Sequence, residues 1–221
     1  MSPFIQWLLQ SGVPLDTVIL ILMIPIVVTL ITFIRQVIGI KAFGIYTPAM
    51  ITFAFLSIGL QAESFGKGIK YGTSIFIMVI AVGMLGRFLL RRFRLLYLPR
   101  MAIVITLVSF ATLGVLVLGG FLQRTGLASV SIFPILIMIT LVEKFVATQI
   151  EKGQRVAIIL SLETLAISLL AYSLISWPAL YILLEKHPEI VLLTILINFF
   201  LGRWTGLRLS EYFRFKDLIN K

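Results

Sequence analysis

LDTVILILMIPIVVTLITFI, residues 15–34, is a run of 20 residues whose one charge, Asp16, stands at its second position. A helix needs about 20 apolar residues to cross the hydrocarbon core of a bilayer, and this stretch supplies them. The rest of the chain repeats the pattern. Of 221 residues 60% are apolar and 13% charged, with a mean hydropathy of +1.10. Soluble domains are nearer ~45–50% apolar and ~25% charged. A water-soluble fold of this size cannot hide so much apolar surface, so the chain is an integral membrane protein with no room for a large soluble domain.

Working outward from residues 15–34, charged or turn-rich breaks separate six further apolar runs. They cover 47–60, 71–90, 99–118, 130–148, 156–177 and 189–207. The expected fold is all-α: a polytopic seven-helix transmembrane bundle forming one domain over residues 1–221. Pro48 and Pro99 suit first helical turns, where a missing N–H costs little. Pro25 and Pro134 fall inside spans and predict kinks, which a membrane helix tolerates when neighbours satisfy the freed carbonyl. The run 47–60 is short for a crossing and is also compatible with a re-entrant segment. Before the first span, Phe4, Ile5, Trp7, Leu8 and Leu9 form a short apolar patch suited to the membrane surface. Residues 1–14 contain no Lys or Arg, unlike a cleaved signal peptide.

Composition also removes whole classes of chemistry. Cysteine is absent and His187 is the one histidine, which excludes disulfides, thiol nucleophiles, cysteine zinc sites and Cys-His pairs. No span carries a central lysine, so a retinal Schiff base is excluded too. The formal charge of +10 reads as cytoplasmic loops enriched in Lys and Arg, with no nucleic-acid partner. No cofactor or metal is expected, and no catalytic set stands out.

The polar residues within or near the spans are the candidate functional ones, because charge at membrane depth is expensive. Glu163 lies eight residues beyond Arg155, roughly 12 Å deep at 1.5 Å per residue. Asn198 is at comparable depth in the seventh span. Glu143 and Arg203 both fall about 20 Å from the outer ends of their spans, with Arg87 at a similar level, so a Glu143–Arg203 ion pair is geometrically open. Three readings of these groups stand: charges that anchor and staple helices, a proton or substrate path through Glu163 and Asn198, and a docking surface for a partner. RFLLRRFRLLYLPR (87–100) and RLSEYFRFKDLINK (208–221) interleave cations with apolar residues, as interfacial segments that meet anionic lipid headgroups do. The spacing Gly202-x-x-x-Gly206 permits close helix approach.

Four stretches in order, RQVIGIKAFGIYTPAMI (35–51), LLYLPRMAIVITLV (95–108), SVSIFPILIMITLVEKF (129–145) and GRWTGLRLSEYFRF (202–215), resemble the bacterial seven-transmembrane domain usually fused to an inactive transglutaminase-like domain. The resemblance runs from about residue 13 to residue 216. It implies importance for Gly44, Tyr46, Thr47 and Pro48, for Tyr97, Pro99 and Arg100, for Glu143, and for Gly202, Arg203, Thr205 and Gly206. It also implies a soluble domain outside the cytoplasm, absent from this chain, and genomic company with an ATP-grasp peptide ligase and an aspartyl-type peptidase. The expected role is a non-enzymatic scaffold or sensor component in the bacterial inner membrane, with transglutaminase-like, ligase or peptidase partners. The alternative is a small transporter or exporter of peptides or amino-acid conjugates, although an internal repeat, common in transporters, is not obvious. Gly44 is expected to take a backbone conformation closed to larger residues, and Thr47 to cap the second helix.

Orientation follows from the basic residues. Fifteen Lys and Arg fall on one side of the seven spans, in the first, third and fifth connections and the C-terminal tail, against four on the other. The richer side is cytoplasmic. A reporter fused after Lys221 is therefore expected to be active only in its cytoplasmic format, and one placed before Ser2 only in its external format. A cytoplasmic reading at the N-terminus refutes the assignment and points to a miscounted span, first of all 47–60.

Overall fold

The apolar runs become helices because each backbone N–H and C=O in lipid must find its partner within the chain. The computed structural model describes residues 2–62, 64–90, 92–93, 95–121 and 131–203. Among these residues the elements are α1 (Pro3–Gln10), α2 (Leu15–Phe33) continued by a π-helical turn (Ile34–Ile38), α3 (Tyr46–Gln61), α4 (Phe65–Leu90), α5 (Tyr97–Phe121), α6 (Ile132–Glu151), α7 (Gln154–Ile175), α8 (Pro178–Lys186), a 3-10 turn (Pro188–Leu192) and α9 (Leu193–Gly202). Five are long and apolar enough to cross a membrane: Leu15–Ile38, α4, α5, α6 and α7. Pro188–Gly202 is a shorter apolar helix, and α3 has 16 residues. Part of the 189–207 run lies outside the described residues.

The boundaries differ from the sequence expectation where charge was taken as an end. Helix α4 starts at Phe65, not Tyr71, and carries Lys67 and Lys70 in its first turns, since lysine stems lie along apolar surface while the ammonium reaches the interface. Helix α3 begins at Tyr46, so Thr47 stands inside the first turn and not at the cap. The turn at Gly44, whose N–H donates to Ala42 O at 2.7 Å, delivers the chain into the helix two residues early. Helix α8, PALYILLEK, fills what reads in the sequence as a connection; Pro178 at its first turn supplies the start.

The helices group into two compact units, residues 1–49 with 170–221, and residues 50–169. In the first, α2 is the hub, meeting α1, α8, the 3-10 turn and α9. Ser2 caps α1 by accepting from Ile5 N at 3.3 Å, and its own N–H donates to Glu185 O at 3.1 Å. Ile5 is fully buried while Phe4 and Trp7 face outward. In the second unit α4 packs on α5 and α6, which also meet each other. Thr52 Oγ1 of α3 donates to Ser168 O of α7 at 3.3 Å. Phe55, Phe76, Met138 and Phe145 fill the interior. The outer faces are apolar as well; Phe110 of α5 is 70% exposed, as expected of a surface that meets lipid.

Glycines set the helix separation in this second unit. Gly68, Gly72, Gly83 and Gly86 of α4 are all buried. A Cβ on Gly72 would run into the ring of Phe55, and one on Gly83 would meet Val142 Cγ1 at 3.1 Å. Small residues let membrane helices approach and gain dispersion contacts, since lipid supplies no hydrophobic drive between them. Phe55 is fully buried and has little space to yield. Gly72→Ala is thus expected to destabilise the protein by about 1–3 kcal/mol through overpacking. Gly114→Ala, whose new methyl meets nothing within 4 Å, is expected to be neutral or to stabilise by about 0.5–1 kcal/mol. Thermal unfolding in detergent separates the two; equal shifts refute the packing role.

Candidate functional site

The candidate residues sit on three kinds of local structure. Gly44 holds φ at +73°, the left-handed region that suits glycine, in agreement with the sequence expectation. Tyr46, Thr47 and Pro48 are the first three residues of α3, and Tyr97, Leu98 and Pro99 the first three of α5. Pro48 is buried and Tyr46 is 80% exposed. Arg100 turns back and donates from Nη2 to Leu95 O at 2.9 Å, closing the approach to α5.

Asn198 is engaged between helices. Its Nδ2 donates to Thr29 Oγ1 of α2 at 2.7 Å and to Thr194 O, one turn earlier in α9, at 2.8 Å. Thr29 and Thr194 are buried. Thr29 escaped the sequence reading because a threonine in an apolar run, which here also holds Thr17 and Thr32, gives no sign of which neighbour it faces. Arg203 follows α9 and places its guanidinium carbon 4.4 Å from the centroid of the Phe199 ring, a cation–π contact. Gly202 faces open space; Thr205, Gly206, Arg91, Arg94 and the tail 208–221 lie outside the described residues. Glu143 is on the exposed face of α6 beside Lys144.

Near the junction of α6 and α7 the second unit holds a cavity of about 430 Å³, lined by Met84, Leu85, Arg87, Phe88, Gln149 and Gln154. Arg87 is half-buried, with Nη1 shielded from solvent. Glu163 is half-buried on α7, with Oε2 shielded. Gln149 and Gln154 were missed in the sequence because they border Glu151, Lys152 and Arg155 and read there as a polar boundary. Among the described residues no three His, Asp or Glu side chains are grouped to hold a metal ion.

Between α8 and α2, Tyr181 donates to Asp16 Oδ1 at 3.3 Å. Desolvation first, and then the Asp16 carboxylate, hold this phenol above its ordinary range. His187 Nδ1 and Glu189 Oε1 lie 3.0 Å apart on the surface.

The Thr29–Asn198 bond is testable as a helix staple. Thr29→Val and Asn198→Leu are each expected to cost about 0.6–2 kcal/mol. The double variant should lose less than the sum, because neither polar partner is left stranded. Additive losses in detergent unfolding would refute the staple.

Neither a curated protein nor a solved structure matches the chain. A family model does, over residues 12–219, nearly the stretch over which the four quoted segments carry the resemblance. With its all-helical architecture and apolar spans, the chain is a multipass membrane protein and belongs to the family of seven transmembrane helices usually fused to an inactive transglutaminase.

Proposed function

We infer that this domain is a non-enzymatic membrane scaffold or sensor, the membrane component of a larger system in the bacterial inner membrane. Its N-terminus lies outside and its C-terminus in the cytoplasm. Family membership supports a non-catalytic membrane role, since the domain usually accompanies an inactive transglutaminase. The observation that carries the reading furthest is the engagement of Asn198. A residue read as one member of a transmembrane path bonds Thr29 and Thr194 and so joins α2 to α9, which supports a structural role. The partners are transglutaminase-like, ATP-grasp ligase or peptidase proteins, which supply the chemistry that a cysteine-free chain with one histidine does not.

Affinity capture of the tagged full chain in mild detergent, with identification of what co-purifies, tests this. At least one of those protein classes is expected in the eluate, and Glu163→Gln should leave its recovery unchanged. Peptide flux into proteoliposomes of the purified chain, abolished by Glu163→Gln and with no co-purifying partner, would overturn the scaffold in favour of a transporter.

A further inference from the structure

The cavity at the α6–α7 junction follows from how α4 meets its neighbours. At Gly83 and Gly86 the helix is drawn against Val142 of α6 and Val104 of α5. One residue past Gly86 stands Arg87, and two turns past Val142 stands Gln149, too large to continue that close approach. The space left between them is bounded by Gln154, whose Nε2 lies 3.3 Å from Met84 Sδ. Its volume of about 430 Å³ falls within the ~300–1,000 Å³ usual for small-molecule sites.

Gln149 is the telling residue. It is 3% exposed, lines the cavity, and its Oε1 has no hydrogen-bond partner among the described residues. A buried carboxamide oxygen without a donor is costly, and a leucine of the same shape would be tolerated better. Beside it, Arg87 offers a guanidinium whose Nη1 also lies out of solvent. Together they present cationic donors for an anion and a neutral acceptor for a hydroxyl. Of the remaining walls Met84, Leu85 and Phe88 are apolar and Gln154 is polar. Leu85 and Phe88 are 59% and 75% exposed, so the cavity opens onto the lipid-facing surface.

We propose that this cavity binds the headgroup of an anionic phospholipid: Arg87 donates to the phosphate, Gln149 accepts from a headgroup hydroxyl, and the acyl chains leave along Leu85 and Phe88. Guanidinium groups match phosphate oxygens in geometry and charge. The location near the end of a span is where phosphodiesters lie. The site does not depend on the scaffold reading; it requires a bilayer and no protein partner.

Binding of short-chain phosphatidylglycerol to the purified full chain in a zwitterionic detergent is the test, with short-chain phosphatidylcholine and inorganic phosphate as comparison probes. Saturable binding of phosphatidylglycerol is expected, about tenfold tighter than that of either other probe. Gln149→Leu should weaken it about fivefold or more while the melting temperature holds or rises, the reverse of what a purely structural glutamine would do. Gln154→Leu, at an exposed position on the cavity wall, should weaken binding about threefold and keeps the test alive if Gln149→Leu does not fold. Arg92→Gln, exposed and outside the cavity, should change it less than about twofold. Inorganic phosphate binding as tightly as the lipid, unaltered affinity in both glutamine variants, or an equal loss in Arg92→Gln would each overturn the site.

Discussion

In lipid no water completes a hydrogen bond that the chain leaves open, and that constraint shapes departures from regular helix among the described residues. Where α2 widens into a π-turn, Gly39 closes it by donating to Ile34 O at 3.1 Å, with φ at +89°. Ser131 N, just ahead of α6, donates to Gln61 Oε1 at 2.8 Å. Hydroxyls follow the same rule: Thr32, Thr112, Ser161 and Ser168 each donate to the carbonyl four residues earlier. These hydroxyl protons are satisfied within their own helices, so a Ser or Thr can sit inside an apolar span without tying helices together.

What does tie helices together is therefore sparse and specific. In the first unit Tyr181 ties α8 to Asp16 of α2, and α9 is held to α2 by Asn198, whose amide has two donor hydrogens, one for its own helix and one for Thr29. A hydroxyl, with a single hydrogen, cannot serve both. In the second unit Thr52 bonds Ser168 O across α3 and α7, and the rest is steric: the glycine face of α4 admits Phe55, Val142 and Val104, and the gain is dispersion between closely spaced backbones. The apolar residues that dominate the composition are largely indifferent between lipid and protein, and the few small or bifunctional residues decide which surfaces meet.

That division explains what the sequence made legible. Apolar runs register burial from water, so the membrane class and the long spans were readable, along with Pro48 and Pro99 in first turns and the special backbone at Gly44. Helix ends were not, because Lys67 and Lys70 ride on α4 and Thr47 yields the cap position to Ile45. Contacts were read least well. Gly68-x-x-x-Gly72 and Gly202-x-x-x-Gly206 are equivalent as text, yet a Cβ on Gly72 meets the Phe55 ring while Gly202 faces open space. Helix α4 did carry a usable signal: Gly68, Gly72, Gly83 and Gly86 share one stripe at spacings of three, four and eleven, and all four are buried. Gln149 shows the opposite difficulty, since its cost appears only when its surroundings are known.

The basic residues around the start of α5 sharpen the point. A helix N-terminus carries partial positive charge, and cations there are unfavourable by about 0.3–1 kcal/mol each. Arg100 nevertheless stands one residue after Pro99, and Arg92 lies in the connection before it. Arg100 offsets part of this by donating from its guanidinium back to Leu95 O, and Pro99 removes one of the exposed N–H groups of the first turn. Tyr97, half exposed at the same turn, is the amphipathic side chain suited to a headgroup layer. A soluble helix would place Asp or Glu at this position. A cation here therefore gains nothing from the helix that bears it, and its position answers to contacts such as Leu95 O and not to the helix dipole.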